Sequence, residues 1–478
     1  MALKTDREKT AHLLRRFGLG ASEAEVDYYS EGGVNRAISR LLDFEKTDEG
    51  FEVDILRFQN PNPNVRFPNL PLVEAWWLMR LLITQRPLQE KMAIFWHDHF
   101  ATSAAKVNSP PAIYRQNETL RRHCVGDFRA FLIEMSKDPA MIYWLDNQTN
   151  VQGKPNENFA RELMELFTVG IGNYTEEEVY EVARCFTGWS FGQPGSRRVP
   201  DRQPLAEVFV LRLADKDNDE KTFRGKTGNL GGEDVIHALC DDPQTSRYLT
   251  TKLWEFFVYE KPEKDVIERF AKVFRDSGLN IKALLRAIME SDEFYSARAE
   301  RKIVKNPVDF VVPTLRQLGV GATMRRNLAA LGDEPIGRGQ LGPALAAQRA
   351  CQNMGMRLFY PPDVAGWEHG RAWITSATMV QRIAWGDALF AARRPGAPAG
   401  RGQSLAIPIF DVVEERTPEG LADRMVSLFD APVTDAQREQ MRDAAKSAAL
   451  FGLTPRSAGD VAATVARLMF GTPEFQFA

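Results

Sequence analysis

Residues 71–100 read PLVEAWWLMRLLITQRPLQEKMAIFWHDHF, and their apolar side chains recur at helical spacing. Pro87 suits the first turn of a new helix, where a missing N–H leaves nothing unpaired. The stretch therefore predicts two helices in succession. The same spacing continues outward on both sides. Ala11, Leu14 and Phe17 begin an apolar face that Gly18 and Gly20 can end. Ser22 with Glu25, and Thr175 with Glu178, form capping boxes. Residues 128–135, 158–169, 175–186, 234–259, 263–277 and 281–289 repeat the pattern.

Two stretches break it. Residues 189–227 are rich in Gly, Pro and charge, and 207–213 (EVFVLRL) alternate like a strand. Residues 394–403 (RPGAPAGRGQ) are a Pro/Gly linker. The expected fold is mainly α. A multi-helical globular body spans 1–393, with a small β-hairpin inserted near 189–227. After the linker, a C-terminal helical segment, 404–478, packs on that body.

With 478 residues, the chain needs no disulfide or metal staple to hold a core. Hydrophobic residues make up 44% and charged residues 26%, which excludes collagen-like and wholly disordered classes. Sixty-one Lys and Arg face 64 Asp and Glu, so no basic field exists to attract nucleic acid or an anionic membrane. No apolar run approaches the roughly 18 residues of a membrane span. The start, MALKTDREKTAHLLRRFGLG, lacks the apolar stretch of a secretory signal. A cytoplasmic protein is expected, with export alongside a partner as the alternative. Cys124, Cys185, Cys240 and Cys351 lie far apart, without the paired spacing of a zinc finger.

Two familiar motifs fail on context. Gly188-Trp189-Ser190-Phe191-Gly192 matches G-x-S-x-G, but a nucleophile elbow needs a strand before Ser190 and a helix after it. Gly225-Lys226-Thr227 resembles the end of a P-loop, yet its first glycine position holds Glu220.

Four segments carry candidate chemistry. In Phe95-Trp96-His97-Asp98-His99-Phe100, helical spacing puts His99 on the apolar face with Met92, Phe95 and Trp96. A helix ending near Trp96 would instead place His97 and His99 on one side of an extended turn, as an H-x-H metal chelate requires. The plainer alternative is a core histidine beside a surface His-Asp pair. In residues 156–167 (NENFARELMELF), Glu162 falls inside the stripe of Phe159, Leu163, Leu166 and Phe167, with Asn158 and Glu165 along its edge. A carboxylate against a core calls for a partner. Glu162 is thus either salt-bridged to a neighbouring helix or a metal ligand or general base. Residues 146–157 (DNQTNVQGKPNE) are oxygen-rich but carry Val151 where a calcium loop needs Gly, so helix capping accounts for most of them. Residues 360–373 (YPPDVAGWEHGRAW) form a Pro/Gly-fixed loop bearing Trp367, His369 and Arg371, either a cleft wall or an aromatic plug.

Several blocks together resemble a known family. RRFGLG (15–20), FWHDHFATSAAK (95–106), residues 156–189, KLWEFFVYEKP (252–262), IVKNPVDFVV (303–312) and YPPDVAGWEHGRAWI (360–374) occur in its order. The family is bacterial and catalogued as domain of unknown function number eighteen hundred. The resemblance runs from about residue 8 to 385, and PEFQF (473–477) is similar to its closing segment. It implies little chemistry. It does imply a partner, an exported phosphatase-like protein of the family numbered fifteen hundred and one. One departure is Leu213-Ala214-Asp215, which lacks the His that family members often carry before Asp.

Two functions are therefore expected. The first is a metal-dependent hydrolase or oxidoreductase. Its divalent metal would be held by His97, His99 and Glu162, with His99, Glu162 and Lys106 as catalytic groups. Asn158, Arg161, Trp367 and His369 would bind the ligand. The second is a non-catalytic helical partner of the phosphatase-like protein, with the aromatic loop as anchor.

Overall fold

The computed structural model describes residues 3–192, 208–391 and 404–478. Among these the protein is mainly α, with twenty-two α-helices and four short strands. Trp189–Gly192 pairs antiparallel with Val208–Leu211, and Lys221–Phe223 with Lys226–Gly228. The β insertion thus comprises two small sheets. The linker at 394–403 lies outside the described residues. No described helix is long and apolar enough to cross a membrane. All four cysteines are free and buried.

The stretch that opened the sequence forms Leu70–Ile83, capped by Asn69, and Pro87–His99, with Pro87 in its first turn. Leu70–Ile83 is apolar around most of its circumference, as a helix buried on all sides should be. Pro87–His99 is buried nearly throughout as well, although it carries Glu90, Lys91, His97, Asp98 and His99. Pro87–His99 is a wall between two hydrophobic cores. Ala93 and Ile94 face a core built from Leu70–Ile83, Pro307–Gln317, Ser376–Phe390 and the C-terminal helices Pro418–Leu428 and Ala458–Gly471. Leu88, Met92, Phe95 and Trp96 face a second core that includes Asp6–Phe17, Pro243–Phe257 and Ile281–Met289.

A buried ion cluster fixes the wall. Glu90 is fully buried and bonds bidentately to Arg121, lies 3.4 Å from Arg80, and accepts Trp77 Nε1–H at 2.9 Å. Burial alone would raise Glu90, but Arg121 and Arg80 reverse this and hold it lowered, hence ionised.

Candidate functional site

At the C-terminal end of Pro87–His99 the chain encloses a cavity of about 630 Å³, against Pro243–Phe257 and the loop after residue 359. The loop is fixed from its first residue. Phe359 has a left-handed backbone (φ 67°), and its N–H donates to His97 Nε2 at 3.0 Å. Asp363 Oδ1 accepts Ala365 N–H and turns the chain. Gly366 follows at φ +90°, where a Cβ would run into the Asp98 carboxylate. That close approach lets Trp367 N–H donate to Asp98 Oδ1 at 2.8 Å. Two residues on, His369 Nε2 lies 2.9 Å from Asp98 Oδ2.

Asp98 is 7% exposed and both its oxygens are engaged. Burial would lower His369, but the hydrogen bond and charge of Asp98 outweigh it, and the net shift is upward. With Nε2–H assigned to Asp98, Nδ1 is the basic nitrogen left for chemistry. The imidazole is 58% exposed at the cavity's rim.

The opposite wall comes from Pro243–Phe257, where Lys252, Glu255 and Phe256 share a face. Among the described residues Lys252 forms no ion pair or hydrogen bond, its nearest aromatic contact being Tyr248, 5.6 Å away. Burial lowers its pKa, against the pull of Asp98 and Glu255. His99 adds a third group. It is 2% exposed, and neither ring nitrogen has a partner at full hydrogen-bond geometry, although the Phe167 backbone lies close enough to favour its protonated form. Burial, then Lys252, keep it well below the ordinary histidine range, with only the Phe167 backbone opposing, so it is neutral. Phe95, Phe256 and Trp373 supply apolar lining, and Asp309 is held by Lys91 and Asn306. The arrangement combines a carboxylate-held base, an unpaired cation and a neutral imidazole around a space of substrate size.

Of the residues nominated from sequence, His99 and His369 line this cavity, and Trp367 serves it through its backbone N–H. The others are elsewhere. The helix continues through His99, so His97 and His99 point about 200° apart. His97 Nε2 is occupied by Phe359 N–H, and its ring packs on Trp77, Phe359 and Trp367. Glu162 is half-buried and does not line the cavity, nor has it a salt bridge among the described residues. Burial, Glu165 and Asp363 raise its pKa. No three His, Cys, Asp or Glu among the described residues are grouped to hold a metal, so the His97, His99 and Glu162 set is not assembled.

Lys106 donates to Trp144 O and Asp146 Oδ1, both at 2.7 Å, and fixes the loop before Asn158–Glu165. Arg161 forms a two-pronged pair with Glu176 at 2.8 and 2.7 Å. Asn158 Nδ2 donates to Leu145 O at 3.1 Å. The side chains of the oxygen-rich loop are occupied, partly within the loop and partly by carbonyls beyond it. Asn150 Oδ1 accepts Asn156 N–H at 2.9 Å, and Asn150 Nδ2 donates to Ala183 O at 2.8 Å. Ser190 lies mid-strand opposite Val210, buried, with no turn into a helix at that point.

Asp98, Lys252 and Glu255 were missed. Asp98 looked like a surface neighbour of His97, and only tertiary structure brings residue 369 to it. Lys252 and Glu255 carried a faint signal, an i, i+3 pair beside the aromatic run Phe256-Phe257. A second cavity of about 610 Å³ lies near Glu23 and Glu25, but these carboxylates are held by Arg424 and Arg316. It offers no comparable acid–base pair.

Fold and site define a multi-helical protein with a His–Asp pair at the mouth of an interior cavity. The chain belongs to the family described as "Protein of unknown function (DUF1800)", whose model matches residues 12–477. No curated protein matches it, and no solved structure does either.

Proposed function

We propose that this protein is a hydrolase in which His369, oriented by Asp98, acts as general base toward a substrate in the 630 Å³ cavity. The observation that carries this is the 2.9 Å Asp98–His369 bond facing a wall with an unpaired Lys252 and a partnerless His99. A buried carboxylate on one nitrogen of an imidazole fixes its tautomer and stabilises the imidazolium that forms on proton uptake. Lys252 meets negative charge developing on the substrate, and neutral His99 offers a donor to an oxygen beside it. This reading replaces the expected metal-dependent mechanism, whose His97, His99 and Glu162 set is not assembled, with general-base chemistry at His369.

The test is turnover of ester, phosphoester, glycoside and peptide substrates by the protein and by His369→Gln and Asp98→Asn. Hydrolysis of one class, reduced about 10²–10⁴-fold in His369→Gln, supports the proposal. Equal turnover in the variant, or none with any class, counts against it.

The second role, a helical partner for a phosphatase-like protein, is favoured by one feature. Leu450 and Phe451 stand 81% and 97% exposed between Asp435–Ala448 and Ala458–Gly471. Replacing both with Ser would abolish co-purification if they are the anchor. A cytoplasmic setting suits the four unpaired cysteines, and co-purification from a periplasmic fraction would argue for export with the partner instead.

A further inference from the structure

The 610 Å³ cavity lies along a seam in the fold. One side is Glu23–Ser30, the end of Leu70–Ile83 and the start of Val320–Leu331. The other is residues 407–412 and Pro418–Leu428, from the C-terminal segment. Its volume falls in the range of about 300–1,000 Å³ that small organic ligands fill. Leu82, Leu318, Ile407, Ile409 and Val412 give it an apolar body. Tyr28 and Val412, on opposite sides, keep 49% and 43% exposure, so the seam is incompletely covered.

Five charged side chains line the cavity: Glu23, Glu25, Arg316, Arg325 and Arg424. Four of them cancel in pairs. Arg424 bonds Glu23 through both terminal nitrogens, at 2.6 and 2.9 Å. Arg316 Nη2 lies 2.5 Å from Glu25, and its Nη1 donates to the carbonyls of Leu81, Leu82 and Thr84. Arg325 is left over, and the lining includes no chain terminus to meet it. Among the described residues its guanidinium has no ion pair or hydrogen bond. It converges with Gln85 beside Gly50, where a Cβ would stand 3.4 Å from Arg325 Nη1 and 2.9 Å from Gln85 Nε2.

Two more kinds of donor are unused. Val320–Leu331 starts after Gly319, at φ 70°, with no side-chain cap. Gly321 and Ala322 of its first turn line the cavity, and among the described residues no carbonyl accepts their amides. An uncapped helix start offers free N–H groups and partial positive charge. Tyr29 also lines the cavity. It is 6% exposed, and its hydroxyl has no hydrogen-bond partner among the described residues. Burial, then Glu25, raises its pKa, so it stays an O–H donor.

We propose that this cavity binds one small organic monocarboxylate with an apolar body. Arg325, the start of Val320–Leu331 and the Tyr29 hydroxyl receive the carboxylate. Leu318, Ile407, Ile409 and Val412 cover the apolar part. The occupant touches both sides of the seam and so ties the C-terminal segment to the body. The site shares no lining residue with the His369 cavity and does not depend on hydrolysis there.

Calorimetric titration of the full chain with sodium octanoate, below its micelle concentration, tests this. A one-to-one complex with a Kd of about 1 mM or tighter is expected. Sodium acetate lacks the apolar body and octanol lacks the charge, so each should bind at least about tenfold more weakly. Arg325→Gln and Val412→Asp alter exposed side chains at the two ends of the proposed contact. Each should weaken octanoate about tenfold while leaving the unliganded melting temperature within about 2 °C. Absence of octanoate binding overturns the proposal, as does octanol or acetate binding as tightly as octanoate. An affinity unchanged in both variants overturns it as well.

Discussion

His97 and His99 leave one helix two residues apart and enter different interiors. The His97 ring sits among Trp77, Phe359 and Trp367, at 5.3–5.4 Å, with Nε2 bonded to Phe359 N–H. The His99 ring lies against Phe95, Trp96, Phe100 and Phe167, equally buried, with neither nitrogen bonded. A satisfied imidazole contributes to stability. An unsatisfied one costs about 1–3 kcal/mol. Where such a group borders a substrate-sized space, its presence points to function rather than packing. On the proposed reading, the first side of the wall helix is structural and the second is the working side.

The largest expected effect is on the structural side. Glu90→Ala removes the fully buried carboxylate between Arg121 and Arg80, leaving them the more exposed Glu118, and should cost about 3–5 kcal/mol in urea unfolding. A loss under about 1 kcal/mol would break the claim that the cluster fixes the wall. His97→Ala removes a packed ring and orphans Phe359 N–H, for a loss of about 3 kcal/mol in the same assay. Gly366→Ala should cost about 2 kcal/mol, because it combines a left-handed backbone with a Cβ against Asp98. It should also lower whatever hydrolysis the protein shows, since the loop carries His369. His99→Phe is the sharpest contrast. It replaces an unpaired polar ring with an apolar one and should change stability by less than about 1 kcal/mol, while turnover falls. A loss as large as that of His97→Ala would erase the distinction between the two sides.

The helical body was legible because a 3.6-residue period survives in the sequence whatever the tertiary arrangement. The end of the wall helix was not. Trp96-His97-Asp98-His99 contains no Gly or Pro to mark a stop, and three residues decide whether two histidines share a side. Glu162 was read as lying inside a core stripe; it is half-buried, and of its charged neighbours Glu165 and Asp363 raise its pKa while Arg161 opposes them without a salt bridge. The polar loop at 146–157 was read mainly as capping; Glu157 makes no side-chain cap bond to the Asn158 helix, and Asn147 and Asn150 instead reach the distant carbonyls of Phe186, Trp189 and Ala183, which no local pattern reports. The pair at Asp98 and His369 spans most of the chain, and no local pattern reports such a meeting. Gly366 and the prolines before it announced a fixed loop without saying what the loop was fixed against.

The pH titration of the six histidines by NMR tests the central claim without a substrate. His369 should titrate above the ordinary histidine value, and Asp98→Asn should bring it down. His97 should stay neutral until about pH 4, and His99 should titrate well below the ordinary histidine value, since burial depresses both. By linkage, stabilisation from the Asp98–His369 pair is full below the unfolded histidine pKa and fades as pH rises through the folded one. An ordinary His369 pKa, unmoved by Asp98→Asn, would contradict the assignment of this pair as the protein's acid–base centre.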